Sequence, residues 1–139
     1  MNNNKYTNLA IFPLNGAILF PKSNLPLNIF EERYIEMVDY ALGHKRLIGM
    51  IQSKPNGDLF NIGCLGKIIS YNEAIDGRYL ISLEGIKCFK INHELKQEYK
   101  FRIVDADIIN SISSNEDLDR SYRKKILDLF AKYTKKNHI

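Results

Sequence analysis

The sequence has few of the residues that common enzyme classes depend on. Three histidines, His44, His93 and His138, stand outside any nucleophile or metal motif such as G-x-S-x-G or H-E-x-x-H. Two cysteines, Cys64 and Cys88, lie far apart and form no C-x-x-C pair. This spacing predicts two buried thiols and neither a zinc site nor a disulfide framework. No phosphate-binding loop G-x-x-x-x-G-K-[ST] occurs. We therefore expect no catalytic residues, no metal and no cofactor.

Long apolar runs are also missing. No stretch reaches the roughly 18 apolar residues that a membrane-spanning helix needs. The first ten residues, MNNNKYTNLA, contain no apolar segment of the kind found in signal peptides. We therefore expect a protein of the cytoplasm with no membrane partner.

Short apolar segments bounded by proline and turn residues make up most of the chain. Hydrophobic residues account for 45% of it, which is enough for one domain with a core. Pro13, Pro21 and Pro26 exclude a long helix before residue 30. Asp76-Gly77 predicts a hairpin turn, and many short strands at close spacing favour a closed or half-closed β-barrel. Bulges or close backbone crossings are expected at two glycines, Gly63 and Gly66.

An early helix is predicted directly after a strand. Leu25, Leu27 and Ile29 alternate as one face of a strand, and Phe30 is expected to close the barrel end. From Glu32 the apolar residues recur at helical spacing, with Glu31 and Glu32 in the first turn, where the helix dipole favours negative charge. Gly43 is expected to end this helix. The apolar positions are Tyr34, Val38, Ala41 and Leu42.

The last part of the chain has a different pattern. Ser113-x-x-Glu116 fits a capping box, and apolar residues then recur at helical spacing: Leu118, Tyr122, Ile126, Leu129, Phe130 and Tyr133. We expect a flexible leader over residues 1–7 and a barrel over residues 8–110. Residues 111–139 are expected to form an amphipathic helix that packs on the barrel or starts a helical extension.

The basic face of this helix suggests an alternative function. The net charge is +4, and much of the excess lies near Arg123, Lys124 and Lys125. Such a cluster can bind nucleic-acid phosphates, so an RNA-binding module is the alternative prediction. The helix's aromatic residues fall in its apolar stripe and not on the basic face, which favours a solvated basic face instead.

The order of the segments resembles a known family. The segments are Phe12-Pro13-Leu14, Ile18-Leu19-Phe20-Pro21, Leu25-Pro26-Leu27-x-Ile29-Phe30-Glu31-x-Arg33-Tyr34, Gly49-Met50-Ile51, Gly63-Cys64-Leu65-Gly66, Asp76-Gly77-Arg78-Tyr79-Leu80, Gly85 and Phe89-x-Ile91. Together they resemble the N-terminal domain of Lon proteases over roughly residues 8 to 109. Two departures are Glu32, where many relatives have proline, and a terminal helix shorter than the family's helical extension.

The resemblance implies both a fold and a role. The fold is a PUA-like pseudo-β-barrel of about six strands, mainly β with a short helix between the second and third strands. The role is that of a non-catalytic, stand-alone module that recognises unfolded or apolar polypeptide, as an adaptor to a protease or chaperone. The family's serine-lysine dyad lies in a peptidase domain, so no Ser or Lys of this chain inherits a catalytic role.

A binding site is predicted beside the strand-to-helix junction. Phe20, Pro21, Phe30 and Tyr34 are expected to line a groove that takes an extended apolar peptide. The alternative, that each of these four side chains fills the core, is left open by the sequence.

Overall fold

The computed structural model describes residues 4–15 and 17–109, together with Lys124. Within these residues the chain forms β1 (Lys5–Pro13), β2 (Asn24–Ile29), α1 (Glu32–Leu42), β3 (Leu47–Ile51), β4 (Ile62–Glu73), β5 (Tyr79–Glu94) and β6 (Arg102–Ile108). The strands are ordered β2-β5-β4-β3-β1-β6, and β6 also pairs with β5. This second pairing closes five strands into a ring, and β2 extends it. The predicted pseudo-barrel, with its helix between β2 and β3, is confirmed.

Strand β5 makes the closure possible because it is long enough to have two neighbours on one edge. Its first half, Tyr79–Glu84, pairs with β2, and its second half, from Phe89 onward, pairs with β6. Its other edge pairs with β4 through the hairpin predicted at Asp76-Gly77, where Gly77 has a φ of 92°. A bulge between Leu65 and Gly66 bends β4, as the glycines predict.

Within the described residues, one hydrophobic core draws side chains from every strand of the ring. Phe89 is fully buried at its centre. The ring of Phe89 fits only because two facing positions have no side chain: a Cβ on Gly49 would lie 2.8 Å, and one on Gly63 2.7 Å, from its Cζ. This confirms the close approach predicted at Gly63. The cluster consists of Leu9, Ile11, Ile51, Leu65, Phe89, Val104 and Ala106.

The second core lies on the opposite face of the same strands and is covered by α1. Met37, Val38 and Ala41 are the buried residues of the helix, and they pack with strand residues such as Phe12 and Ile81. The helix begins at Glu32 and ends before Gly43, close to the predicted positions. Its burial of one face explains why an eleven-residue segment is helical at all.

The structure differs from two of the sequence expectations, and a third lies largely outside the described residues. Phe30 does not close the barrel: it is 72% exposed, whereas Ile29 is 3% exposed, because strand alternation turns Phe30 to the opposite face. The first strand begins inside the expected leader, since Lys5 pairs with Asp107. The predicted terminal helix lies outside the described residues except for Lys124, which is helical.

Candidate functional site

A groove crosses the solvent-exposed face of β2, β5 and β4, opposite the face that packs against α1. The strand register places Pro26, Ser82 and Ser70 in one row, and Asn28, Leu80 and Asn72 in the next. The groove has a volume of about 360 Å³, and Leu27 and Ile81 complete its lining. None of these eight lining residues carries a charge. The surface therefore offers amide and hydroxyl groups around an apolar centre.

Strand alternation determines this composition. Leu25, Leu27 and Ile29 on β2 face the core, as do Tyr79, Ile81 and Leu83 on β5. The residues between them must then face outward. Among them, Leu80 is 41% exposed and is the large apolar side chain of the groove.

The outer edge of β2 is less suited to a ligand than this face. Lys22 N–H donates to the Gly85 carbonyl, and Gly85 N–H donates to the Ser23 carbonyl, both at 2.8 Å. Backbone groups alternate along a strand, so those of Leu25 and its alternate residues face β5 and those of Pro26 face outward. Proline has no N–H, so the middle of the outer edge lacks a donor. A strand added there would form an interrupted ladder, which favours the open face as the contact surface.

The structure does not bring the four sequence-predicted residues into one groove. Phe20 and Pro21 lie beside Gly85, before β2 begins, whereas Phe30 follows its last residue. A six-residue strand separates these positions by about 20 Å. Phe20 and Tyr34 are half-buried against the α1-side core, and the Tyr34 ring centroid lies 4.4 Å from that of Phe12.

Of the four sequence-predicted residues, Phe30 lies at the end of the strand β2 that forms one side of the groove. It follows Asn28 by two residues, so it continues the outward-facing row of β2 at its end. Its large exposed ring extends the apolar part of the surface beyond Leu80.

Two lysines, Lys5 and Lys45, line a cavity that is separate from the groove. A second cavity, of about 340 Å³, is lined by Lys5–Asn8 and Gly43–Lys45. Lys45 Nζ lies 5.6 Å from the centroid of the Tyr6 ring. The cavity adjoins the C-terminal end of α1, where the helix dipole is negative and opposes anion binding. Of the predicted nucleic-acid residues, Lys124 is exposed, and Arg123 and Lys125 lie outside the described residues.

A polar contact on the opposite face of β5 from the groove joins the sheet to the helix. The Tyr79 hydroxyl donates to Asp39 Oδ1 at 2.9 Å and so ties β5 to α1. This hydrogen bond to a carboxylate, together with burial, raises the pKa of Tyr79 well above its ordinary value.

Over residues 4–15 and 17–109, no three His, Cys, Asp or Glu side chains come together as a metal site requires. No helix in those ranges is long and apolar enough to cross a bilayer.

Comparison with known proteins assigns the chain to a family. The model of the substrate-binding domain of ATP-dependent protease La (LON) matches residues 8–139. The chain belongs to the Lon substrate-binding domain family. The matched family model describes this substrate-binding domain and not the peptidase domain of the protease.

Relatives of this Lon domain are parts of much longer proteins. Lon protease of Desulfosudis oleivorans is 27% identical over 120 residues, covering 81% of this chain and 14% of its own. Lon protease of Halothermothrix orenii is 26% identical over 141 residues, covering 96% of this chain and 18% of its own. The chain thus spans less than a fifth of the length of these relatives.

Solved Lon domains share the fold. A Lon N-terminal domain protein from Xanthomonas campestris superposes with a TM-score of 0.64 at 21% identity, over 76% of this chain and 61% of that one. The N-terminal domain of Mycobacterium avium complex Lon protease gives 0.62 at 12% identity, over 95% of this chain and 72% of that one. At these identities the likeness establishes the fold alone.

The four binding residues predicted from the sequence include none of the eight residues that line the groove of this Lon domain. Ser70, Asn72, Leu80 and Ser82 lie on the outer face of the hairpin that Asp76-Gly77 predicts. On β5, the alternation of Leu80 and Ser82 with buried residues was a signal that they face outward, whereas Ser70 and Asn72 lie in a part of β4 that is exposed at every position from residue 69 onward. Their grouping into a groove depends on β2, whose pairing with β5 joins residues fifty or more positions apart and leaves no local pattern.

Proposed function

We propose that this protein is a non-catalytic module that binds unfolded or extended polypeptide in the groove across β2, β5 and β4. The observation that carries the proposal is the uncharged composition of this groove in a chain of the Lon substrate-binding domain family. An unfolded chain presents backbone amides whatever its sequence, and its apolar side chains are no longer buried in a core. Asn28, Asn72 and Ser70 can donate to and accept from such amides, and Leu80 and Phe30 supply apolar contact.

The absence of charge in the groove lining also predicts how binding responds to salt. Contacts made by amides, hydroxyls and apolar groups are screened little, so affinity for polypeptide should change less than twofold between low and moderate ionic strength. An RNA-binding surface would behave differently, because each phosphate contact releases counterions and affinity falls steeply with salt.

The family membership extends the proposal to a partner. The relatives named above are Lon proteases, and this chain corresponds to a minor part of each. We therefore propose that the bound polypeptide is passed to a protease or chaperone, with this chain as adaptor in the cytoplasm. Transfer of a labelled unfolded polypeptide from the purified module to such a partner is the corresponding measurement.

The direct test compares two charge insertions on one strand. Leu80→Asp places a carboxylate in the groove, and Ile86→Asp places one on β5 outside it; the wild-type side chains are 41% and 36% exposed. Fluorescence anisotropy of a labelled, permanently unfolded polypeptide reports the affinity. We expect Leu80→Asp to weaken binding about tenfold, equivalent to about 1.4 kcal/mol, and Ile86→Asp to leave it within twofold.

The same experiment can contradict the proposal. Equal affinities for wild type, Leu80→Asp and Ile86→Asp would exclude this groove as the binding surface. If the wild-type module does not bind the polypeptide at all but shifts single-stranded RNA at low salt, the alternative function stands. In that case neutralising Arg123, Lys124 and Lys125 together should abolish the shift.

A further inference from the structure

Two cysteines that are distant in sequence face each other in the α1-side core. Cys64 on β4 and Cys88 on β5 are direct partners in the antiparallel register. They are 0% and 2% exposed, and both are thiols. Directly opposite residues of an antiparallel pair project to the same face of the sheet, so both side chains enter the same core.

Backbone hydrogen bonds establish what kind of pair this is. The Cys88 carbonyl accepts from Ile109 N–H at 2.9 Å, on the edge of β5 away from β4. Ile91 N–H donates to the Asn61 carbonyl at 2.8 Å, on the edge toward β4. Backbone groups of successive strand residues point to opposite edges, and residues 88 and 91 are an odd number of positions apart. The two bonds therefore agree that the backbone groups of Cys88 point away from β4. Cys64 and Cys88 therefore form a non-hydrogen-bonded pair.

The geometry of such a pair fits a disulfide. Cα atoms in a non-hydrogen-bonded antiparallel pair lie about 4.5 Å apart, with the side chains close together. Disulfides join Cα atoms about 4.4 to 6.8 Å apart, so no movement of β4 against β5 is required. The register between Ile62 and Leu65 is regular, so no bulge separates the two sulfur atoms.

We propose that Cys64 and Cys88 are a reversible redox pair that forms an intramolecular disulfide across β4 and β5. The oxidant is a small-molecule disulfide such as glutathione disulfide. One cysteine thiolate attacks it, forms a mixed disulfide and releases one thiolate. The second cysteine thiolate then attacks the mixed disulfide and releases the other. Two electrons pass from the protein to the oxidant, and the two protons lost by the cysteines are taken up by the released thiolates.

Burial sets the conditions under which this exchange occurs. At 0% and 2% exposure neither sulfur can be attacked without a local opening of the α1-side core. Oxidation of the folded protein should therefore be slow, and it should accelerate in urea below the unfolding transition. Once formed, the bond cross-links residues 64 and 88 and constrains the unfolded chain, which should raise the melting temperature by about 10 °C.

The test uses the full chain with glutathione disulfide, both folded in sub-denaturing urea and during refolding. We expect intact mass to show the loss of two hydrogens, unfolded protein to show no reactive thiol, and a peptide map to link Cys64 to Cys88. The rise in melting temperature should disappear on reduction. Cys64→Ala and Cys88→Ala are matched controls that can form only mixed disulfides or covalent dimers. Two reactive thiols after both treatments, or glutathione on each cysteine of the wild type, would overturn the proposal.

Discussion

Gly85 is a position where one added methyl group should strongly lower the free energy of unfolding. The Phe20–Ser23 segment passes directly over it on its way into β2. A Cβ at residue 85 would overlap the Phe20 carbonyl oxygen and lie 2.7 Å from the Phe20 carbonyl carbon and 3.2 Å from Pro21 Cα. All three are backbone atoms, so no side-chain rotation can relieve the overlap. Gly85→Ala must therefore displace the segment.

The loss in the free energy of unfolding can be estimated from the contacts that this displacement breaks. Two backbone hydrogen bonds hold the segment, Lys22 N–H to the Gly85 carbonyl and Gly85 N–H to the Ser23 carbonyl, and each contributes about 1 kcal/mol. The neighbouring Leu19 side chain is buried, and loosening it costs on the order of 1 kcal/mol more. We expect Gly85→Ala to lower the free energy of unfolding by about 3 kcal/mol.

Urea unfolding measures this difference, and tyrosine fluorescence can report it because the chain contains eight tyrosines and no tryptophan. Gly43→Ala is the matched control. A Cβ at Gly43, the helix C-cap, would meet its nearest atom, the Tyr40 carbonyl oxygen, at an ordinary 3.6 Å, so stability should be unchanged or rise by up to about 1 kcal/mol. If Gly85→Ala unfolds at the same urea concentration as wild type, this would contradict the close packing of residues 20–23 over Gly85 on β5.

Two smaller perturbations test local chemistry. Lys22 has a φ of 68° at the third position of a turn closed by Ser23 N–H to the Phe20 carbonyl, so Lys22→Gly should stabilise by about 1 kcal/mol in urea unfolding while Lys22→Ala changes little. Tyr79→Phe removes the bond to Asp39 and should lower the free energy of unfolding by about 1 kcal/mol. The raised pKa of Tyr79 means that its contribution is complete below the unfolded value of about 10 and is lost as pH rises above it. The alkaline fall in unfolding free energy should therefore be shallower in Tyr79→Phe, and an identical pH profile would contradict this assignment.

Local patterns in the sequence predicted the elements well. The strand β2 (Asn24–Ile29), the helix that follows it and the Asp76-Gly77 hairpin each depend on residues within a few positions of one another. For such elements, side-chain spacing and turn preference act before any tertiary contact forms. The bulge at Gly66 was also predictable, because glycine in a strand has few other uses.

Features created by distant pairings were not predictable from one sequence. The pairing of β2 with β5 forms the groove, and the facing of Cys64 and Cys88 depends on the β4–β5 register. No spacing within a segment encodes either arrangement. Phe30 was misplaced for a related reason: an aromatic residue at a strand end suggests burial, but alternation turned it to solvent.

The most direct test of the central claim is nuclear magnetic resonance of the labelled module during titration with an unfolded polypeptide. We predict that the side-chain amides of Asn28 and Asn72 and the methyl groups of Leu80 shift first and most strongly, with Phe30 beside them. Shifts confined to the Lys5–Asn8 and His44 cavity, with the β2–β5–β4 face unchanged, would contradict the account.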